Sequence, residues 1–360
     1  MATYNRLNPE DTAVSTDKIV SNTWSDNTNI QIHNFTSSVQ ATVSTATSQA
    51  NFFIEVFSSA SNQSTTANVD GEGPVQYTLS YGHKAGSGSL EFTPTAGALG
   101  NTATKCIYRQ YAQLVYGDEG SNFVFDGYEA DDIFVINVAR GRYKHALKAG
   151  SLNLKLNDST IAPHAAVFTD DSVTQTGSAV VTNLGRQFNI VSGSDGVMSG
   201  SLLTQTGHIT SFGSVDSGSF GFVYPDAGIL IFNGAALRKL SFNANTFGKG
   251  TSAATEKTAE GMFSAIQGGA SFELDSEERV SSQYMFVRVK NGEYNYSSNP
   301  SYIDGNGNLN NTTMVDSPTT YITTVGLYND DNNLLAVAKL SQPLKKDFTT
   351  EALIRIKLDY

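Results

Sequence analysis

The chain has 360 residues, a formal net charge of -11 and only 16% charged residues, with 39% hydrophobic residues and much of the rest Gly, Ser, Thr and Asn. The acid excess argues against a general phosphate-backbone binder, which needs clustered Lys and Arg to displace counterions. A single cysteine, Cys106, excludes an intrachain disulfide and a Cys-rich metal site.

The opening stretch MATYNRLNPEDTAVSTDKIV lacks the basic and apolar regions of a secretion signal, and the sequence leaves open an extended arm reaching a neighbour. No apolar run approaches the roughly 20 residues of a membrane-spanning helix. The chain therefore reads as a protein made in the cytoplasm without export. NFFIEVF (51–57) and PVQYTLSYGH (74–83) read as strands, the second alternating Val75, Tyr77, Leu79 and Tyr81 with Gln76, Thr78 and Ser80. In TATKCIYRQYAQLVYG the period becomes helical, with Ile107, Tyr111, Leu114 and Val115 on one face and Gly117 as the stop. DDIFVINVARGRY is apolar on both faces, as a central strand is, and SLNLKL alternates Leu152, Leu154 and Leu156 with polar residues. A first domain is expected over 1–158.

From 159 to 252 short apolar runs alternate with Gly, Ser, Thr and Asp. RQFNIVSGSDG, HITSFGSVDSGSFGFVY and GILIFNGAALRKLSF read as strands joined by tight turns, PDAG (225–228) among them. A middle β-domain or insert is expected there, with NANTFGKGTSAAT (243–255) as linker. The last domain, 253–360, opens on a helix carrying Ala259, Met262, Phe263 and Ile266. The strands YMFVRVK, TYITTVGLY, LLAVAKL and a terminal one follow, with NDDNN (329–333) as a hairpin turn. In the terminal strand Ala352, Ile354, Ile356, Leu358 and Tyr360 alternate with Leu353, Arg355, Lys357 and Asp359, which predicts a half-buried strand locked into a sheet. The fold class is mainly β with a few short helices (α+β), multi-domain, built of antiparallel sheets or β-sandwich-like domains.

The residues carry no recognisable catalytic constellation. DGNGNLN has the alternating oxygens of an EF-hand start at Asp304, Asn306, Asn308 and Asn310, but Leu309 and Val315 stand where Gly and a bidentate Glu are needed. His33, His83, His145, His164 and His208 form no local metal pair, and neither G-x-S-x-G nor a P-loop is present. Cys106 borders a helical apolar face, as a structural thiol does. The acid groups in DGYEADD (126–132) and ELDSEE (273–278) read as solvated turns before they read as a glycosidase pair.

Long stretches do carry a likeness. SEERVSSQYMFVRVKNGEYNYSSNPSYIDGNG and YITTVGLYNDDNNLLAVAKLSQPLKKDFTTEALIRIKLDY closely resemble a virion structural protein family of contractile-tailed phages, the T4-like cyanophages and other marine relatives. YRQYAQLVYGDEGSNF, DDIFVINVARGRYKHAL and YPDAGILIFNGAAL extend the likeness to most of the chain, with 159–220 the least similar. The resemblance implies a non-enzymatic particle component of the tail or baseplate, or else of the neck or head, present in several copies. Its partners are then other virion proteins and its own copies, with no nucleic acid, no membrane and no cofactor. It names no catalytic residues. The Asn-rich loop 291–311 with Tyr294, Tyr296 and Tyr302, together with Tyr360, is the candidate interface, because tyrosine offers contact area and a polar handle; the equal alternative for the loop tyrosines is that their rings close the edge of the domain's own core. A receptor- or glycan-binding adhesin at a fibre attachment site is the alternative those aromatic loops allow.

Overall fold

The computed structural model describes residues 4–24, 35–37, 52–58, 75–87, 92–93, 97–98, 103–125, 127–157, 165–173, 180–198, 219–239, 258–269 and 271–359. The expected linker at 243–255 lies outside them, as do 199–218. The chain divides into two compact units, Ile19–Glu278 and a second made of Met1–Lys18 with Arg279–Tyr360. This differs from three serial domains at 1–158, 159–252 and 253–360. The first of those boundaries falls between neighbouring strands of one sheet, and the helix that opens the third segment packs in the larger unit.

In chain order, β1 (Thr12–Asn22) is followed by β2 (Phe35–Ser37), β3 (Phe53–Ser58), β4 (Val75–His83), the short pair β5 (Phe92–Thr93) and β6 (Gly97–Ala98), and helix α1 (Ala103–Tyr116). A second short pair, β7 (Val124–Phe125) and β8 (Tyr128–Glu129), leads to β9 (Asp132–Val138), β10 (Ala146–Leu147), β11 (Asn153–Asn157) and β12 (Ala165–Asp170). Then come β13 (Val180–Thr182), β14 (Gly185–Ser194), β15 (Val197–Met198), β16 (Gly221–Tyr224), β17 (Ile229–Asn233), α2 (Gly234–Lys239), α3 (Thr258–Gly269) and β18 (Ser271–Glu273). The main sheet runs β18-β11-β12-β14-β16-β17-β9-β4-β3-β2, every neighbouring pair antiparallel.

The doubly apolar β9 sits between β17 and β4, and its two faces feed two cores. Phe134, Ile136 and Val138 join Tyr77, Leu79, Met262 and Ile266, while Ile133 and Val135 join Tyr108, Tyr111, Ala112 and Val115 of α1. β4 is buried on both faces, although its alternation reads as half-buried. Its polar face lies under α1, where a Cβ on Gly82 would come within 2.8 Å of the Tyr108 backbone nitrogen.

The buried stripe of α1 is Thr104, Tyr108, Tyr111, Ala112 and Val115, so Leu114, expected inside, is 40% exposed. Tyr108 takes the inner place because its hydroxyl has partners there, donating to Ala130 O and accepting from Phe123 N. Gly117, at φ +76°, ends the helix as expected. Two expectations are corrected. GAALRK is helix α2, not strand, because Asn233 Oδ1 caps it by accepting from the N–H groups of Ala235 and Ala236. ELDSEE is strand, not solvated turn, with Glu277 buried, and Asp132 of DGYEADD is fully buried.

The strand β19 (Asp275–Val289) belongs to the smaller unit from Arg279 onward, where it pairs with β22 (Ala352–Asp359) in antiparallel register from Ser282↔Asp359 to Val289↔Ala352. β20 (Thr320–Tyr328) and β21 (Leu334–Lys346) form a hairpin. NDDNN closes it as expected, with Asn332 in the left-handed region at φ 61° and Asn329 N donating to Asn333 O. Leu327, Ile354 and Ile356 form the core with Leu7, Met285, Val287, Val325, Ala336 and Leu340 packed on it. The C-terminal strand is locked in as its alternation predicts, with Ala352, Ile354 and Ile356 inward and Leu353, Arg355 and Lys357 outward.

Candidate assembly surface

The loop after β19 is shaped by a lysine. Lys346, at 0% exposure, donates to Asn291 O at 2.7 Å, Asn295 Oδ1 at 2.8 Å and Asp347 O at 2.8 Å. A buried ammonium is tolerable only when its donors are satisfied, and here each has a carbonyl. The Asn295 amide is itself held, its Nδ2 donating to Asn291 O. Glu293 accepts from Lys290 N and Asn5 Nδ2, and these bonds hold its carboxyl below the ordinary value. Tyr294 is forced to φ 57°, with its carbonyl accepting from Thr320 Oγ1.

This framework presents the predicted aromatics unequally. Tyr296 is 60% exposed and Tyr294 38%, whereas Tyr302 is half-buried, edge-on to Tyr296, with its hydroxyl donating to Asn295 O. Tyr302 thus closes the loop as much as it faces outward. Burial pushes the Tyr294 hydroxyl up, and the Glu293 charge adds to this. Tyr360 lies outside the described residues.

Two surfaces beside this loop were not read from the sequence. β20 and β21 pair only with each other among the described residues, and their outer side exposes Tyr321, Leu335 and Val337, with Tyr328 and Leu334 near the tip. Pro343, Lys339 and Lys345 lie along β21, the residue types that keep an exposed edge from pairing indiscriminately. On β19–β22, the outward register sets Tyr284, Phe286 and Arg288 opposite Lys357, Arg355 and Leu353. The Arg355 guanidinium lies 5.6 Å from the Tyr284 ring centroid and the Lys357 ammonium 6.0 Å. The alternation of each strand is visible in the sequence, but the register that merges them into one basic and aromatic face is not.

Several of the other candidates are tied into the fold. Asp304 Oδ1 accepts from the N–H groups of Asn306 and Asn308, which holds its carboxyl below the usual range and occupies it within its own loop. Asp132 forms a two-pronged pair with Arg238 at 2.5 and 2.6 Å. Asp170 accepts from the N–H groups of Gly150 and Ser172, and burial raises its pKa despite them. His83 Nδ1 accepts from Ala85 N, His145 is exposed, and His33, His164 and His208 lie outside the described residues. Cys106 is exposed on α1. Among the described residues no three His, Cys, Asp or Glu side chains converge as a metal site, and no helix is long and apolar enough to cross a membrane.

No protein-family model, no curated protein and no solved structure matches the chain.

Proposed function

We infer that the protein is a non-enzymatic structural subunit of a phage virion, in the contractile tail or baseplate, acting through protein–protein contacts with other virion proteins and with further copies of itself. The observation that carries this reading is the outer surface of the smaller unit. A ribbon of two strands that pair only with each other among the described residues exposes Tyr321, Leu335 and Val337 beside a loop that displays Tyr294 and Tyr296. Exposed apolar and aromatic residues gathered on regular strands mark an interaction surface better than a solvated one. The β20 edge, which carries neither Pro nor Lys, also offers backbone groups for strand addition. Asp132, Asp170 and Asp304 are tied into an ion pair and into loop hydrogen bonds.

The test is cryo-electron microscopy of the intact particle combined with proteomics of purified virions. Density in the tail or baseplate, with Tyr296 and the β20–β21 ribbon against neighbours, is the expected result. Absence from purified virions overturns the reading, and density at a fibre tip with the tyrosine loop facing solvent replaces it with the adhesin.

A further inference from the structure

Across the outer face of β19–β22, Arg288 and Arg355 are diagonal neighbours, since Arg288 stands opposite Leu353 and Arg355 opposite Phe286. Both are exposed, and among the described residues neither has an acidic partner, whereas nearby Lys357 is paired with Asp359 at 2.9 Å. Tyr284, Phe286 and the 61% exposed Leu353 supply apolar ground between them. In a chain with 34 acidic against 23 basic residues, two unpaired guanidiniums on one aromatic face form a local reversal of sign. The chain also carries a complement to this face. At the tip of the β20–β21 hairpin, Asp330 and Asp331 are exposed and unpaired among the described residues, flanked by exposed Tyr328, Leu334 and Leu335.

We propose that the acidic, leucine-bearing hairpin tip of one copy docks on the Arg288/Arg355 face of a second copy. Two different patches meet in this contact, so it is heterologous, and repetition builds a ring or an open stack. Guanidinium forks suit paired carboxylates, and the flanking Leu334 and Leu335 cover Phe286 and Leu353 as the charges meet. The inference rests on the assembly reading above and specifies self-contact as one of its modes.

Charge exchange tests it on the full chain by sedimentation velocity across a salt series. Wild type is expected to form concentration-dependent higher species that dissociate as salt rises. R288E/R355E and D330K/D331K should each weaken association by about a hundredfold, because like charges then face one another. Mixing the two variants should restore association, since the unaltered tip of the first fits the unaltered face of the second. All four sites are exposed, so circular dichroism melts should match wild type. A wild-type chain that stays monomeric at low salt, double variants that associate like wild type, or a mixture that does not recover would each overturn the proposal. Those outcomes leave assembly with other virion proteins standing, which particle proteomics tests separately.

Discussion

Lys346 shows how far one side chain can organise a surface. Removing its ammonium leaves Asn291 O, Asn295 Oδ1 and Asp347 O without their donor in a buried setting. Lys346→Met should therefore cost about 3 kcal/mol in urea unfolding. Lys345→Ala removes an exposed pair to Asp347 and should cost less than about 1 kcal/mol. Equal losses for the two would remove the clamp from the account. The two lysines are adjacent in the sequence, and the strand alternation of β21 turns Lys346 inward, with Leu344, and Lys345 outward. The carboxylates around this loop add a pH dependence. Hydrogen bonds hold Glu293, Asp304 and Asp347 below their ordinary values of 4.5, 3.8 and 3.8, the Thr350 and Thr349 hydroxyls doing so at Asp347. A lowered folded pKa gives stability that is present above the ordinary value and lost as pH falls through the folded one. Melting temperature should thus decline once pH drops below 4.5, and Asp304→Asn with Asp347→Asn should flatten that decline. Asp170, raised by burial, has the opposite sign: its contribution is present at low pH and lost as pH rises through the raised value.

Element by element, legibility followed how many faces an element buries. β9, β11 and β22 were readable because continuous or strictly alternating apolar residues leave one interpretation. GAALRKLSF was ambiguous because a short apolar run fits strand or helix, and the Asn233 cap that decides between them acts through geometry. On α1, Leu114 outranks Tyr108 in hydrophobicity, but Tyr108 is buried because Ala130 O and Phe123 N satisfy its hydroxyl. The closeness of α1 to β4 depends on Gly82, whose absent Cβ leaves room for the Tyr108 backbone. Gly82→Ala should cost about 1–3 kcal/mol by pushing helix and sheet apart. Gly292→Ala, where a Cβ meets nothing within 4 Å, should stay within about 0.5 kcal/mol. Urea unfolding of both variants checks the pair, and an unaffected Gly82→Ala would mean that the contact yields freely.

At the scale of the whole chain, the smaller unit joins two segments remote in sequence, which no local pattern announces. The opening segment, for which the sequence left an extended arm open, contributes to this unit's own packing. Leu7 packs on the core of Leu327, Ile354 and Ile356, Tyr4 stacks edge-on to Tyr328 at 5.1 Å, and Asn5 Nδ2 donates to Glu293. Leu7→Ala should consequently destabilise strands remote in sequence while sparing those nearer to it. Leu7 is only half-buried, so a loss of about 1–2 kcal/mol is expected, at the low end for a core leucine. Native-state hydrogen exchange resolved by peptide is the suitable readout, because local and global opening separate there. Amides of β20, β21 and β22 should exchange about ten times faster in the variant, since each 1.4 kcal/mol is a factor of ten. Those of β4 and β9, whose cores contain no residue of the opening segment, should be unchanged. Equal acceleration in both sets would show that the chain opens as a single cooperative body; no acceleration in β20–β22 would return the opening segment to the role of a free arm.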